Sequence, residues 1–300
     1  MGGRQTNCLG ILAFSRSYFL ALETEPPSRF EKRRASWLNG VVPFTFAHPA
    51  AVVPIHNRWK RWLALAPLAV GSMVPDAGYY LPLPDSFKAV AHTALGTLYS
   101  ALPVGIVVLL IFYWVAPEVV FLLPSPHREA LLRKIEKPTL SLRNASMAVC
   151  AIAIGAETHV VWDSFVHQDG WVAERIVFLH KRIWGIPPYL ALQVVSSIAG
   201  LWIVWYLYDR WAMSQGFRAW SWQESSWRMP LWIAVLAGCV AQALIESHTV
   251  QAILSLVFLH RKHFALIFVI SLVRNFLLAV CVAAIYIKLF GRRARLDVAY

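Results

Sequence analysis

Long apolar runs alternate along the chain with short polar stretches. The runs near 100–123, 144–162, 189–208, 230–250 and 264–289 each reach the roughly 20 residues a helix needs to cross a bilayer. A sixth stretch, LALAPLAVGSMVPDAGYYLPL (63–83), is also long enough. Pro67, Gly71, Pro75, Gly78 and Pro82 would break an ordinary helix there, and broken backbone is tolerated at membrane depth only under cover of protein or beside a water-filled cavity. PFTFAHPAAVVPIH (43–56) is apolar but too short to span, which fits a re-entrant or interfacial segment. The pattern predicts an all-α, polytopic membrane protein with about six transmembrane helices and no internal repeat.

The polar stretches orient it. Arg128, Arg133, Lys134, Lys137 and Arg143 fall in one loop, Arg210, Arg218 and Arg228 in another, and Arg292, Arg293 and Arg295 in the tail. Six spans put all three on one side, together with Arg58, Lys60 and Arg61. The excess of Lys and Arg marks that side as cytoplasmic, and the C-terminus with it. Arg175, Lys181, Arg182, Arg261 and Lys262 are the exceptions. Tryptophans on either side of loop 209–229, from Trp202 to Trp232, fit an aromatic belt.

Composition agrees. The chain has 300 residues, 58% of them hydrophobic and 15% charged, and its mean hydropathy is +0.53. The net charge of +12 is explained by the basic loops, and no compact basic region argues for nucleic acid. The lipid bilayer is the expected partner, while composition leaves the oligomeric state open. Cys8, Cys150, Cys239 and Cys281 form neither a disulfide framework nor a Cys-x-x-Cys pair; the last three read as buried small apolar side chains. Residues 1–41, with several Arg and a Pro26-Pro27 pair, lack a signal peptide's continuous apolar core and read as a poorly ordered extension. Residues 42–290 read as one helical membrane domain and 291–300 as a basic cytoplasmic tail.

Candidate chemistry gathers in GAETHVVWDSFVHQDGW (155–171). On a helix, His159, Asp163 and His167 fall at i, i+4 and i+8, on one face, and two imidazoles with a carboxylate form a metal-ligand pattern. Eight helical residues rise roughly 12 Å, too far for both histidines to hold one ion from a straight helix. Either Asp163 lies between two ions about 4 Å apart, or the helix ends before Gly170 and His167 turns back. The plainer alternative is a polar helix end at the membrane surface. The six-span topology brings Asp76 and His92 to the same, outer end. His48 starts on the inner side and joins only if residues 43–56 dip into the membrane. Deeper in the bilayer, Glu246 and Arg274 are expected to pair between neighbouring spans, although their depths differ by roughly 9 Å; alternatively Glu246 or His248 adds to the metal site. His127, His260 and His263 read as interfacial.

The pieces VPFTFAHPAAVVP (42–54), GSMVPDAGYY (71–80), AHTALGTLYSALPVG (91–105), GAETHVVWDSFVHQDGW (155–171) and PPYLALQVVSSIAGL (187–201) together resemble domain-of-unknown-function family 4184, bacterial membrane proteins without an established activity. That family opens on a Met where this chain has Val42, which implies that translation starts at Val42 and that residues 1–41 lie outside the native protein. The same order of motifs is more distantly similar to membrane-bound metal-dependent hydrolases and to zinc-dependent phospholipase C. Those families share an early His, a Pro-Asp motif, a middle His and a helical His-x-x-x-Asp pair. These correspond to His48, Pro75-Asp76, His92, and His159 with Asp163; His167 matches at a different spacing. The phospholipases' later His-x-x-x-Glu pair has no counterpart, since His180 has no Glu four residues on.

The resemblance implies a bacterial inner-membrane protein, its site toward the extracytoplasmic side. One or two divalent ions, zinc first, would be held by His48, Asp76, His92, His159, Asp163 and His167. Glu157 is the candidate general base, and Trp162 and Trp171 are candidate walls of a pocket for a membrane-associated ester or phosphoester. The alternative is a non-catalytic transporter subunit or scaffold in which the same residues form a structural metal site or polar cluster.

Overall fold

Runs of Leu, Ile, Val and Ala become long helices, and the Pro- and Gly-rich stretches become the short pieces between them. The structure is a computed structural model and describes residues 44–84, 86–135, 141–221, 228–255 and 264–290. A single turn at Thr45–Ala47 precedes α1 (Pro49–Arg58) and α2 (Leu65–Met73), and a 3₁₀ segment, Val74–Tyr79, follows. Next come α3 (Ser86–Ala91), α4 (Ala94–Phe121, with a π-helical turn at Thr97–Ala101), α5 (His127–Leu132) and α6 (Leu142–Val166). After a turn at Ala173–Arg175 the chain forms α7 (Val177–His180), α8 (Pro188–Ser214), α9 (Arg228–Ser255) and α10 (Phe264–Phe290). Side-chain caps fix two starts: Thr93 accepts from Gly96 N at 3.0 Å and Ser141 from Asn144 N at 3.1 Å.

Among the described residues, five helices are long and apolar enough to cross a membrane: α4, α6, α8, most of α9 and most of α10. The sixth stretch is broken, as its prolines require. It is the short α2 and the 3₁₀ turns after it, packed more extensively against α6 than against any other element. The contact is close because two glycines meet. A Cβ on Gly71 would lie 2.2 Å from Ile152 O, and one on Gly155 would lie 2.3 Å from Leu68 O. Around this crossing, Val70, Val74 and Ala77 pack with Ile152, Ala156, Ala91, Ala101 and Leu109.

α1 runs back along α2, so the pair forms a hairpin. One end holds His48 and Ser72, both beside His159. The other end holds Trp62, whose ring lies 5.3 Å from the Arg143 guanidinium at the start of α6. Residues 43–56 were expected to begin on the inner side; α1 instead carries His48 to the opposite end, because α1 and α2 are antiparallel. There the turn Thr45–Ala47 rests on α8, where a Cβ on Gly200 would come 2.8 Å from Ala47 O.

The basic-loop end is tied by polar contacts. Trp232 donates to Leu122 O at 2.8 Å and Lys288 to Trp114 O at 2.6 Å, with Lys288 Nζ 3.6 Å from the buried Glu118. His127, expected at the interface, is buried instead: Nδ1 lies 2.7 Å from Tyr208 Oη and Nε2 3.1 Å from Ser221 O. Of the cysteines, Cys239 is buried, Cys281 half-buried and Cys150 exposed, so Cys150 departs from the expected buried role; all three are free. Residues 1–41, His260, Arg261, Lys262, His263 and the tail arginines lie outside the described residues.

Because backbone carbonyls cannot yield as a flexible side chain can, Gly155→Ala should destabilise the fold by about 1–3 kcal/mol. Thermal unfolding of the detergent-solubilised protein checks this. An unchanged midpoint would mean that α2 and α6 are not in such close contact.

Candidate metal centre

Four elements deliver side chains to one point. The α2–α6 crossing sets His159 beside Ser72, whose carbonyl O lies 2.8 Å from His159 Nδ1. Asp163 follows one turn later on the same face of α6. The 3₁₀ segment after α2 supplies Asp76, fully buried, with Thr45 Oγ1 donating to its Oδ2 at 2.6 Å. The loop after α3 supplies His92, with Nδ1 2.7 Å from Lys88 O. The residue before α1 supplies His48, its ring stacked on His159 at 3.9 Å between centroids.

His167 resolves the geometric limit set by the spacing. α6 ends at Val166, and His167 turns to extended backbone (φ −106°, ψ 146°). Its Nε2 comes back to 3.3 Å from Asp163 Oδ2. The turn needs Gly170, where a Cβ would lie 2.4 Å from Ser164 O.

Two tautomers follow from these contacts. A carbonyl oxygen only accepts, so Nδ1 carries the proton in both His159 and His92, and each neutral ring leaves a bare lone pair at Nε2. The two Nε2 atoms face each other at 3.3 Å. They also face carboxylate oxygens, with His159 Nε2 3.1 Å from Asp163 Oδ2 and 3.6 Å from Asp76 Oδ1. His92 Nε2 lies 3.4 Å from Asp76 Oδ1 and 3.5 Å from Asp163 Oδ2. Asp76 Oδ1 and Asp163 Oδ2 are both buried, and while the rings are neutral neither has a hydrogen-bond partner among the described residues. While both rings are neutral, acceptors are aimed at acceptors, and a proton on a ring or a bound cation relieves this.

A divalent cation fits this arrangement. Donor atoms of Asp76, His92, His159 and Asp163 all lie within 4.8 Å of one another. A tetrahedral shell with zinc–ligand distances near 2.0–2.1 Å has edges of about 3.3–3.4 Å, and the five separations above run from 3.1 to 3.6 Å. Protons compete for the same lone pairs. Burial alone would pull the His92 imidazole down, but the Asp163 and Asp76 carboxylates outweigh it and push it up to about 9. His167 moves the same way: burial opposes the charged form and Asp163 prevails.

The six histidines and aspartates expected from the sequence therefore come together, with His48 Nε2 3.7 Å from Asp163 Oδ1. Glu157 does not join them. It lies about 200° around α6 from His159, and its carboxylate accepts from Thr97 Oγ1, on the π-helical turn of α4. There it borders an open apolar groove with Ala51, Ala153, Ile154, Thr158, Val161 and Trp162. Trp162 thus walls this groove, and Trp171 is exposed beneath the Arg175 guanidinium. Glu246 pairs with Arg274 and His248 lies against Phe264, so neither adds to the centre. Thr45, the anchor of Asp76, is the residue that sequence reasoning missed, although it sits within the motif that carries His48.

Elemental analysis tests the fit. Protein purified from zinc-supplemented cells without chelator should carry near-stoichiometric metal, and His159→Ala and Asp163→Asn should lose it. Zinc affinity should fall as pH is lowered below about 9, since His92 must then give up a proton to bind. Metal retained by both variants would refute the assignment.

No curated protein and no solved structure matches the chain. The family described as "Domain of unknown function (DUF4184)" matches residues 42–288. The match covers most of the chain's length, and this chain belongs to that family.

Proposed function

We propose that the protein is a metal-dependent hydrolase of the bacterial inner membrane, acting on an ester or phosphoester of a membrane-associated substrate. The observation that carries this reading is a surplus of donors. Six side chains converge where a closed structural zinc site uses four. Asp76, His92, His159 and Asp163 would hold the ion, with His48 and His167 beside Asp163. When bound, a divalent cation, zinc first, supplies Lewis acidity and a hydroxide equivalent at neutral pH.

The chain's own residues prepare that chemistry. The Ser72 and Lys88 carbonyls hold His159 and His92 in the Nδ1–H tautomer, and Thr45 orients Asp76. His48 and His167 are the groups placed to take or pass a proton at Nε2, because Glu157 faces away. The centre lies at the end of α6 opposite the loop that carries Arg128, Arg133 and Lys134. We infer that this loop is cytoplasmic, that the centre opens toward the extracytoplasmic side, and that the last ten residues form a cytoplasmic tail.

A second reading has its own support. The side chains of the four inner ligands are at most 9% exposed, and a closed four-ligand shell is what structural zinc has. The test is hydrolysis by zinc-loaded protein in liposomes against short-chain esters and phospholipids. Turnover is expected, with Thr45→Ala, which removes the hydroxyl that orients Asp76, reducing it about 10–100-fold, the range for partners that orient a metal ligand, while Glu157→Gln leaves it in place. Stoichiometric metal with no turnover on any substrate would favour the structural reading.

A further inference from the structure

The segment 167–187 joins the metal-centre end of α6 to the start of α8, and just before α8 it forms a small exposed finger. Ile183 N donates to Ile186 O at 3.0 Å and Ile186 N to Ile183 O at 3.1 Å, which closes the finger. Trp184 and Gly185 are its tip, both with positive φ, 51° and 83°. A two-residue turn with both central residues in that region is usually Asn-Gly, because bulky side chains enter it at a cost. Trp184 is 99% exposed, so packing within the chain does not compensate this choice. A strained residue of this kind points to a role outside the fold.

Apolar side chains surround the tip. Val177, Phe178, Ile183 and Ile186 are exposed, while Leu179 is buried and the His180 ring lies 5.4 Å from that of Tyr189 on α8. Lys181 and Arg182 precede the tip, both exposed and neither paired with a carboxylate among the described residues. No acidic residue falls within 176–187. These cations lie opposite the basic loops, where the distribution of Lys and Arg gives no reason for them. The depth of the finger follows from α8. No charged residue lies between Arg182 and Asp209, and helical residues 188–208 rise about 32 Å, close to the roughly 30 Å of a hydrocarbon core. The finger therefore stands where the core meets the headgroups.

We propose that the finger inserts Trp184 into the leaflet on the metal-centre side and that Lys181 and Arg182 hold anionic phospholipid headgroups there. A tryptophan is favoured at this level, where its apolar body leaves water and its N–H keeps a polar partner. The two cations reach phosphates while their stems follow the apolar side chains of the finger, and anionic lipid draws them to the surface. The level of the finger favours lipid over a protein partner, because headgroups and acyl chains already lie at this depth. The inference does not rest on the hydrolase reading, since the finger gives no ligand to the metal centre.

Fluorine NMR tests it on full-length protein in lipid nanodiscs, with 5-fluorotryptophan in place of every tryptophan. Trp184→Phe assigns the Trp184 resonance by its loss. In discs containing phosphatidylglycerol, dissolved oxygen should broaden that resonance and a water-soluble gadolinium chelate should spare it. Protection from the chelate should fall in purely zwitterionic discs, and in the double variant Lys181→Gln with Arg182→Gln. Unchanged positions of the other tryptophan resonances would show that the fold persists. Strong broadening by the chelate in both kinds of disc overturns the proposal, and is what a finger reserved for a protein partner would show. Protection that depends neither on phosphatidylglycerol nor on the two cations also overturns it, because apolar insertion alone would then suffice.

Discussion

The architecture depends on an electrostatic conflict at one end of the helix bundle. Two imidazole nitrogens and two buried carboxylate oxygens converge within 4.8 Å of one another, and the carbonyls of Ser72 and Lys88 fix the tautomers that make all four acceptors while the rings are neutral. In a medium of low dielectric such an arrangement is costly unless a cation or protons compensate it. Much of the surrounding structure holds those acceptors in place: the Gly71–Gly155 contact sets His159, the Thr45 hydroxyl sets Asp76, and the Gly170 turn returns His167.

The same constraint explains why the first third of the described chain is irregular. A continuous helix through residues 63–83 could not place Asp76 against α6 while leaving room for His48. The short antiparallel α1 and α2 do both, and the broken backbone that follows is covered by α3, α4 and α6. The long helices α8, α9 and α10 contribute no ligand to the centre; α8 supports the Thr45 turn through Gly200. Polar groups in α9 and α10 are satisfied in a different way, by pairing between the two helices.

Much of this was legible in the sequence because membrane burial leaves a strong signal. Apolar runs of spanning length gave α4, α6, α8, α9 and α10, and prolines marked the broken segment. The i, i+4 spacing of His159 and Asp163 gave the heart of the centre. What was hidden depended on direction and on local turns. A short apolar segment such as 43–56 does not reveal which way it runs, so from the sequence His48 joins the centre only on condition that this segment dips into the membrane; the reversal of α1 brings it beside His159 and Asp163. Glu157, only two residues from His159, looked like part of the site; helical periodicity turns it away, and the partner Thr97 could not be foreseen without the π-helical turn. The apparent 9 Å mismatch between Glu246 and Arg274 came from ending α9 too early.

The most direct test of the central claim is X-ray absorption at the zinc edge on protein purified from membranes. If a cation reconciles the facing acceptors, the spectrum should show a shell of nitrogen and oxygen donors at about 2.0–2.2 Å with imidazole outer-shell scattering and no sulfur. Absence of a zinc edge from folded protein supplied with zinc during growth would contradict the account. So would a sulfur shell near 2.3 Å, because no cysteine belongs to this centre.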